Sequence, residues 1–460
     1  MNNKIFFSVI LLFFSLNLQA QNSQKPNIIV LLSDDMGYSD LGCYGSTKIK
    51  TPQLDKMASE GILFTDFYVA APSCGPSRAG FLTGNHPSRI GMEDNIHPQD
   101  KRGLNPKEQT IATLLKQNGY ETALFGKWHQ GNYPEHSPNA HGFKEYYGTP
   151  YSHDMWPFNP DAEKVQPPLP IFNNQEIVDY NPSVNQLTQM VTDKAIDFID
   201  RKKDQPFFLY VAYNMPHVPV GSSDQFKGKS EYGPYGDAVM EIDASVGKIL
   251  ETLKKYKIDE NTIVMYFTDN GPWLAYGNHA GNSMNFREGK KTTFEGGMRS
   301  PFIVRMPGTI PAGNKSEEII SALDILPTVL EMSNTKGPMQ PLDGKSILPL
   351  LKNEKGAKSP HDALFYTLGN EVQAVRMGKW KLHIPHKYRH VEVVGNDGLR
   401  GIQNHDDYFI DLALFDLEKD VGERNNLAEK YPEKVKEMQK AIVKFGKALR
   451  SSKRNAYVVE

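Results

Sequence analysis

Ile28-Ile29-Val30-Leu31-Leu32, followed at once by Ser33-Asp34-Asp35, is the stretch on which the fold turns. A near-continuous apolar run of this length is what a strand buried on both faces requires, whereas a half-exposed strand would alternate. The layout recurs at Thr122-Ala123-Leu124-Phe125 before Gly126-Lys127-Trp128-His129, at residues 207–213 before Asn214-Met215-Pro216-His217, and at residues 263–267 before Thr268-Asp269-Asn270-Gly271. Helical patterns lie between these runs. One covers residues 110–118, with Gly119 as its C-terminal cap, and another puts Val239, Ile242, Val246, Ile249, Leu250 and Leu253 on one face. Strands alternating with helices imply an α/β fold with a large, mostly parallel central sheet flanked by helices. Ligands in such sheets bind at the carboxyl ends of the strands, so the four polar clusters are expected to converge on one edge.

The rest of the chain narrows the function class. Lys+Arg 52 against Asp+Glu 54 leave a formal charge of -2, which excludes a global basic field for nucleic acid. An anionic substrate must then be held by local cations. Lys4, an apolar run over residues 5–14 and Leu18-Gln19-Ala20 have the layout of a secretory signal peptide spanning residues 1–20. The run is short of the roughly 20 apolar residues of a membrane span, and no Cys adjoins the cleavage site for a lipid anchor. A secreted or periplasmic protein without a membrane anchor is expected. Its two cysteines, Cys43 and Cys74, would ordinarily pair after export.

A main catalytic domain is expected over residues 25–350. The texture changes after a linker at residues 352–360, where short strand-like pieces appear (Ala374-Val375-Arg376 and Lys379-Trp380-Lys381-Leu382-His383). An apolar stripe of Val435, Met438, Ile442, Phe445 and Leu449 follows. Residues 360–460 thus read as a smaller α+β subdomain, a small antiparallel sheet plus a helix.

Cys74-Gly75-Pro76-Ser77-Arg78 continues into Ala79-Gly80-Phe81-Leu82-Thr83-Gly84. Cys-x-Pro-Ser-Arg with Leu-Thr-Gly downstream resembles the signature at which type I sulfatases, of the alkaline phosphatase superfamily, have their Cys converted to formylglycine. The resemblance is to the arylsulfatase A-like and N-acetylgalactosamine-6-sulfatase-like branch. It runs from Pro26 to about Leu427, ending on Leu414-Phe415-Asp416-Leu417 and Glu423-Arg424-Asn425-Asn426-Leu427. It implies an alkaline phosphatase-like sulfatase fold and a maturation enzyme that oxidises Cys74. Pro76 suits the first turn of a helix, which would put residue 74 at an N-terminus that favours an anion. A hydrated aldehyde offers two hydroxyls there, one to attack sulfur and one to collapse and expel sulfate. Arg78, one turn on, is placed to hold that diol.

Asp34 and Asp35 with Asp269 and Asn270 would form an all-oxygen cluster suited to a hard cation. By resemblance these four, with residue 74, are ligands of calcium, magnesium being the second choice. Either would act as a Lewis acid on the sulfate. Gly126-Lys127-Trp128-His129 resembles the family's Lys-x-His element, which makes Lys127 a sulfate ligand and His129 the proton acceptor from the diol. His217, in a Pro-His-x-Pro context, becomes the general acid for the leaving alcohol. Lys290, in Gly289-Lys290-Lys291-Thr292-Thr293, becomes a sulfate clamp, although pattern alone does not separate it from Lys291. Ser152 and His153, in Pro150-Tyr151-Ser152-His153-Asp154, resemble an active-site stretch and are expected to bind substrate. Trp273, His279 and Arg376 are candidates for a sugar pocket, with core or surface placement the simpler reading.

The function implied is hydrolysis of sulfate esters, exo-acting on a sulfated glycosaminoglycan or algal polysaccharide of galactose or N-acetylgalactosamine type. Two alternatives are a phosphodiesterase or phosphonate hydrolase with the same nucleophile and a non-catalytic glycan-binding relative. If Cys74 becomes an aldehyde, Cys43 is left without a disulfide partner.

Overall fold

The computed structural model describes residues 25–161 and 166–460, so the expected signal peptide lies outside the described residues. Eleven strands form one sheet. In chain order they are β1 (Asn27–Ser33), β2 (Ile62–Tyr68), β3 (Glu121–Gly126), β4 (Glu145–Gly148), β5 (Pro170–Asn173), β6 (Glu176–Tyr180), β7 (Phe207–Ala212), β8 (Thr262–Thr268), β9 (Arg299–Arg305), β10 (Asn314–Ser316) and β11 (Ile320–Ser321). They run across the sheet as β10-β2-β9-β8-β1-β7-β3-β4-β5-β6, with β11 beside β2. The centre, β8-β1-β7-β3-β4, is parallel throughout. The flanks are mixed: β9 is antiparallel to both β8 and β2, and β5 and β6 add an antiparallel edge.

The central strands are apolar without alternation because both faces are covered. Ile28, Val30 and Leu32 of β1 point into one cluster, with Phe81 and Leu82 of α2 (Cys74–Thr83), Ile111 and Leu115 of α3 (Ile111–Gln117), and Leu326 and Val329 of α6 (Ile325–Met332). Ile29 and Leu31 point into the other. There they meet Leu54 and Met57 of α1 (Pro52–Ser59), Val191 and Phe198 of α4 (Leu187–Lys202), and Val246 and Ile249 of α5 (Pro234–Lys255). Each such side chain contributes about 1.5–3 kcal/mol by leaving water. The helix expected at residues 110–118 is α3; the Thr110 side chain accepts from the Thr113 N–H, and Gly119 follows at φ +81.

Beyond the main sheet, β12 (Leu364–Leu368), β13 (Glu371–Met377), β14 (Trp380–His383) and β15 (Ala413–Asp416) form an antiparallel sheet. Helix α7 (Pro432–Ser451) lays Val435, Met438, Ile442 and Leu449 on Val375, Leu382 and Leu414. A polar seam joins this layer to the main body. Lys381, fully buried, lies 2.9 Å from Glu295 and 2.8 Å from Glu423, both also fully buried. Arg376 pairs with Asp66 at 2.7 Å in the same seam, so it is a structural ion pair and not part of a sugar pocket. Between β14 and β15 a hairpin of His390–Val393 and Ile402–Asn404 reaches back over the main domain, with Gly395 N–H donating to Ala275 O at 2.9 Å.

Candidate active site

β8, β1, β7 and β3 are consecutive and parallel, so their carboxyl ends lie side by side along one edge. Asp34 and Asp35 leave β1 there, Lys127 and His129 leave β3, His217 follows β7, and Asp269 and Asn270 leave β8. Two tight backbone approaches fix the exits. Gly126 has φ +114, and a Cβ there would sit 1.8 Å from Ala212 O; the glycine lets Lys127 N–H donate to that carbonyl at 2.8 Å. At Gly271 a Cβ would meet Gly296 O at 1.7 Å, which ties the β8 exit to the segment after Lys290.

Cys74 is the first residue of α2 and is fully buried. Its Sγ lies 3.6 Å from Asp35 Oδ1. Burial, and then Asp34, pushes the thiol well above its ordinary value, so as a plain cysteine it stays protonated and a poor nucleophile. Arg78, one turn along, is fully buried; its Nε and a terminal nitrogen reach Asp269 Oδ2 at 2.9 and 2.8 Å. It also donates to Lys127 O at 3.0 Å. Lys127 Nζ lies 2.5 Å from Asp34 Oδ2, and Lys290 Nζ lies 2.7 Å from Asp35 Oδ2 and 4.6 Å over the Trp273 ring. Burial opposes the charge on Asp34, but Lys127, His217, Arg78 and Lys290 together hold its carboxyl well below the usual range. Burial and the Asp34 carboxylate push Asp269 up to about 7, against Arg78 and Lys127.

Asp34, Asp35, Cys74 and His217 each offer a donor atom within 4.8 Å of the others. Asn270 joins them by donating to Asp35 Oδ1 at 2.7 Å. Asp269 is set differently from the other expected ligands: Arg78 takes its Oδ2, and its Oδ1 accepts from Asp35 N–H at 3.2 Å. Among the described residues, buried Asp34 Oδ1 and Asn270 Oδ1 have no hydrogen-bond donor. Arg78 lies 3.7 Å from Asp34 Oδ1, beyond hydrogen-bond reach; buried oxygens without a donor beside carboxylates are the donor set a hard divalent cation takes, so the residues fit one.

His129 and His217 differ in their free atoms. His129 Nε2 lies 3.2 Å from Ile96 O and must donate, because a carbonyl only accepts, which leaves buried Nδ1 without a partner among the described residues. Burial, then Lys127 and Arg78, holds this ring well below its ordinary value, as a neutral base. His217 Nδ1 donates to Val218 O at 2.6 Å, turning Nε2 toward Asp35 Oδ2 at 3.4 Å. His153 stacks edge-on to His217, with centroids 5.6 Å apart, and donates to Pro219 O at 3.0 Å. Ser152 is buried beside it, with its Oγ unpartnered among the described residues.

The sulfatase family profile matches residues 26–335, and a second, for the C-terminal part of N-sulphoglucosamine sulphohydrolase, matches residues 288–450. The chain is 41% identical over 381 residues to N-acetylgalactosamine-6-sulfatase of Canis lupus familiaris, covering 78% of this chain and 72% of that one. This chain belongs to the sulfatase family. It is 37% identical to human arylsulfatase A, over 88% of this chain and 84% of the relative. The solved PsFucS1 sulfatase from Pseudoalteromonas sp. superposes with TM-score 0.84 at 27% identity, over 96% of this chain and 94% of the other. The protein is therefore a sulfuric ester hydrolase, and neither the phosphoester reading nor the non-catalytic one is favoured.

Some residues of this sulfatase site escaped the sequence reading. Tyr210, inside β7, accepts from Arg78 through its hydroxyl at 3.3 Å but reads as core. Asn95 accepts from Gly75 N–H at 2.9 Å, occupying an amide of the α2 N-terminus, and Gln130 donates to Gly75 O at 2.8 Å. Neither lies in a motif. Trp273 does reach the site, with its ring 5.7 Å from His217, whereas His279 is half-buried on the segment after it. Lys291 is the more exposed lysine of its pair, 31% exposed and 3.8 Å from Asp94, while Lys290 is the buried one. Cys43 and Cys74 are both free thiols.

Proposed function

We propose that the enzyme removes sulfate from a sulfated carbohydrate through residue 74 matured to formylglycine, with a calcium ion held by Asp34, Asp35, Asn270 and Asp269. The observation that carries this reading is the convergence of four neighbouring parallel strand ends on buried Cys74. Its raised thiol pKa supports the need for conversion, since a protonated thiol is no nucleophile. Hydrated, the aldehyde supplies one hydroxyl to take the sulfuryl group and a second to release it. A bound calcium would polarise the sulfate oxygens, and magnesium is the less favoured ion. Lys127 and Lys290 bind the sulfate, exchanging contacts with Asp34 and Asp35 for contacts with the substrate anion. Arg78 holds the diol oxygen and keeps Asp269 in register. His129, neutral and with Nδ1 free, takes the proton of the diol. His217 protonates the leaving alcohol from Nε2, and Ser152 and His153 line the leaving-group side.

The carbohydrate class rests on the relatives, among them N-acetylgalactosamine-6-sulfatase, and favours an exo-acting enzyme on a galactose or N-acetylgalactosamine type sugar. Secretion or a periplasmic site rests on the signal-like layout of residues 1–20; no helix of the described residues is long and apolar enough to cross a membrane. Residues 25–350 would form the catalytic domain and 360–460 the subdomain that roofs it. The test is a side-by-side assay of aryl sulfate, aryl phosphate diester and a panel of defined sulfated saccharides. Turnover of sulfates alone supports the reading; preference for the phosphate diester overturns it.

A further inference from the structure

A cavity of about 660 Å³ opens beside the nucleophile, between the main domain and the C-terminal layer, and is lined by Ser73, Lys291, Lys387, Arg389 and His405. Ser73 immediately precedes Cys74 and Lys291 immediately follows Lys290, so the cavity begins where the sulfate site ends. Its volume suits a sugar unit, ligand pockets commonly being about 300–1,000 Å³. The cations on its wall are unevenly satisfied. Lys387 and His405 both lean on exposed Asp406 at 3.8 Å. Of the acids on the wall, Glu93 is bound by Lys453, and Glu371 accepts from Gln373 at 2.8 Å.

Arg389 is half-buried and forms no ion pair among the described residues; its one polar contact is a 3.4 Å hydrogen bond to Gln403 Oε1. Burial pulls it down, Arg400 adds to that, and only Asp94 opposes. Lys291 sits in the same field: burial lowers it, Asp94 opposes, and Arg389 adds to the lowering. Two mutually repelling, partly desolvated cations sharing one exposed carboxylate are stabilised by a bound anion, and a guanidinium matches the fork of a carboxylate or sulfate. The arrangement is also tied to the catalytic lysine. Gln403 Oε1 accepts from Trp273 Nε1 at 3.1 Å, and the Trp273 ring carries Lys290 at 4.6 Å.

We propose that this cavity is a second anion subsite, in which Arg389 and Lys291 bind a carboxylate or sulfate on the sugar adjoining the one that loses its sulfate. The assignment rests on the carbohydrate reading above. It makes the enzyme selective for substrates with charge on consecutive sugars.

Titration calorimetry tests it on the full-length chain carrying Cys74→Ala, with three disaccharides that share a 6-O-sulfated N-acetylgalactosamine and differ in the second sugar: neutral, carboxylated or sulfated. At least one charged ligand should bind about tenfold tighter than the neutral one, and which one does so identifies the anion. Arg389→Gln should erase most of that preference, and Arg389→Lys should keep part of it. Equal affinity for all three, no binding of any, or a preference that survives Arg389→Gln would overturn the subsite. Aryl sulfate hydrolysis by the matured enzyme, with Cys74 intact, separates the two readings. Absent turnover there sinks the functional reading whatever the calorimetry gives, and turnover without a charge preference sinks only the subsite.

Discussion

Lys381→Met puts the seam between the two layers to a quantitative test. Lys381 is the cation between two carboxylates, 2.9 Å from Glu295 and 2.8 Å from Glu423, with all three side chains fully buried. In its absence Glu295 keeps Arg299 at 3.4 Å and the Tyr68 hydroxyl at 2.7 Å. Glu423 keeps His383 at 2.8 Å, a ring that burial holds well below its ordinary value and therefore neutral. Removing one partner of a buried ion pair costs about 3–5 kcal/mol, and that is the expected loss at pH 8. Burial already raises Glu295, Lys381 opposing and Glu423 adding to the rise, so the substitution raises it further. A carboxyl raised in the folded state favours folding fully only below its unfolded value of about 4.3 and loses that contribution as pH climbs through the folded value. The deficit of the variant relative to the parent should therefore shrink on acidification, by up to about 1.4 kcal/mol per pH unit. Denaturant unfolding of both proteins at pH 8 and pH 5.5 measures it. A deficit under about 1 kcal/mol, or one that grows toward pH 5.5, would refute the electrostatic account of the seam.

Other perturbations probe the catalytic edge. Gly126→Ala forces a Cβ against Ala212 O at a φ of +114 and should cost about 2–4 kcal/mol, with activity lost through displacement of Lys127 and His129, read by unfolding and turnover together. Asp34→Ala removes a proposed ligand oxygen that has no hydrogen-bond donor, so the thermal stabilisation expected from added calcium, about 2.7 kcal/mol at a hundredfold excess over Kd, should vanish. His217→Ala should lower turnover of a sugar sulfate by about 10²–10⁴-fold and of an aryl sulfate with a good leaving group by far less. Equal losses on the two would remove His217 from the leaving-group side.

Much of this was legible because the strongest sequence signals were also the strongest physical ones. The unbroken apolar run at residues 28–32 fits a strand covered on both faces, and its recurrence between helical patterns implies the parallel centre and the edge carrying Asp34. What hid were features decided by packing across long separations. The antiparallel β9 looks like any buried strand, because orientation leaves no trace in periodicity. Tyr210 reads as core, since its ring is core and only its hydroxyl serves Arg78. Asn95 caps a helix twenty residues earlier in the chain, with no local motif to mark it. Two adjacent lysines look alike in sequence, and only the fold separates Lys291, at a φ of 64, from Lys290, which lies against the Trp273 ring.

Whether residue 74 performs the chemistry is met most directly by initial rates of aryl sulfate hydrolysis by the matured enzyme and by its Cys74→Ala variant, with circular dichroism to show that both are folded. Cys74→Ala should lower the rate by about 10³-fold or more, into the background left by binding and charge alone. A folded Cys74→Ala protein that turns over at the parent rate would contradict it.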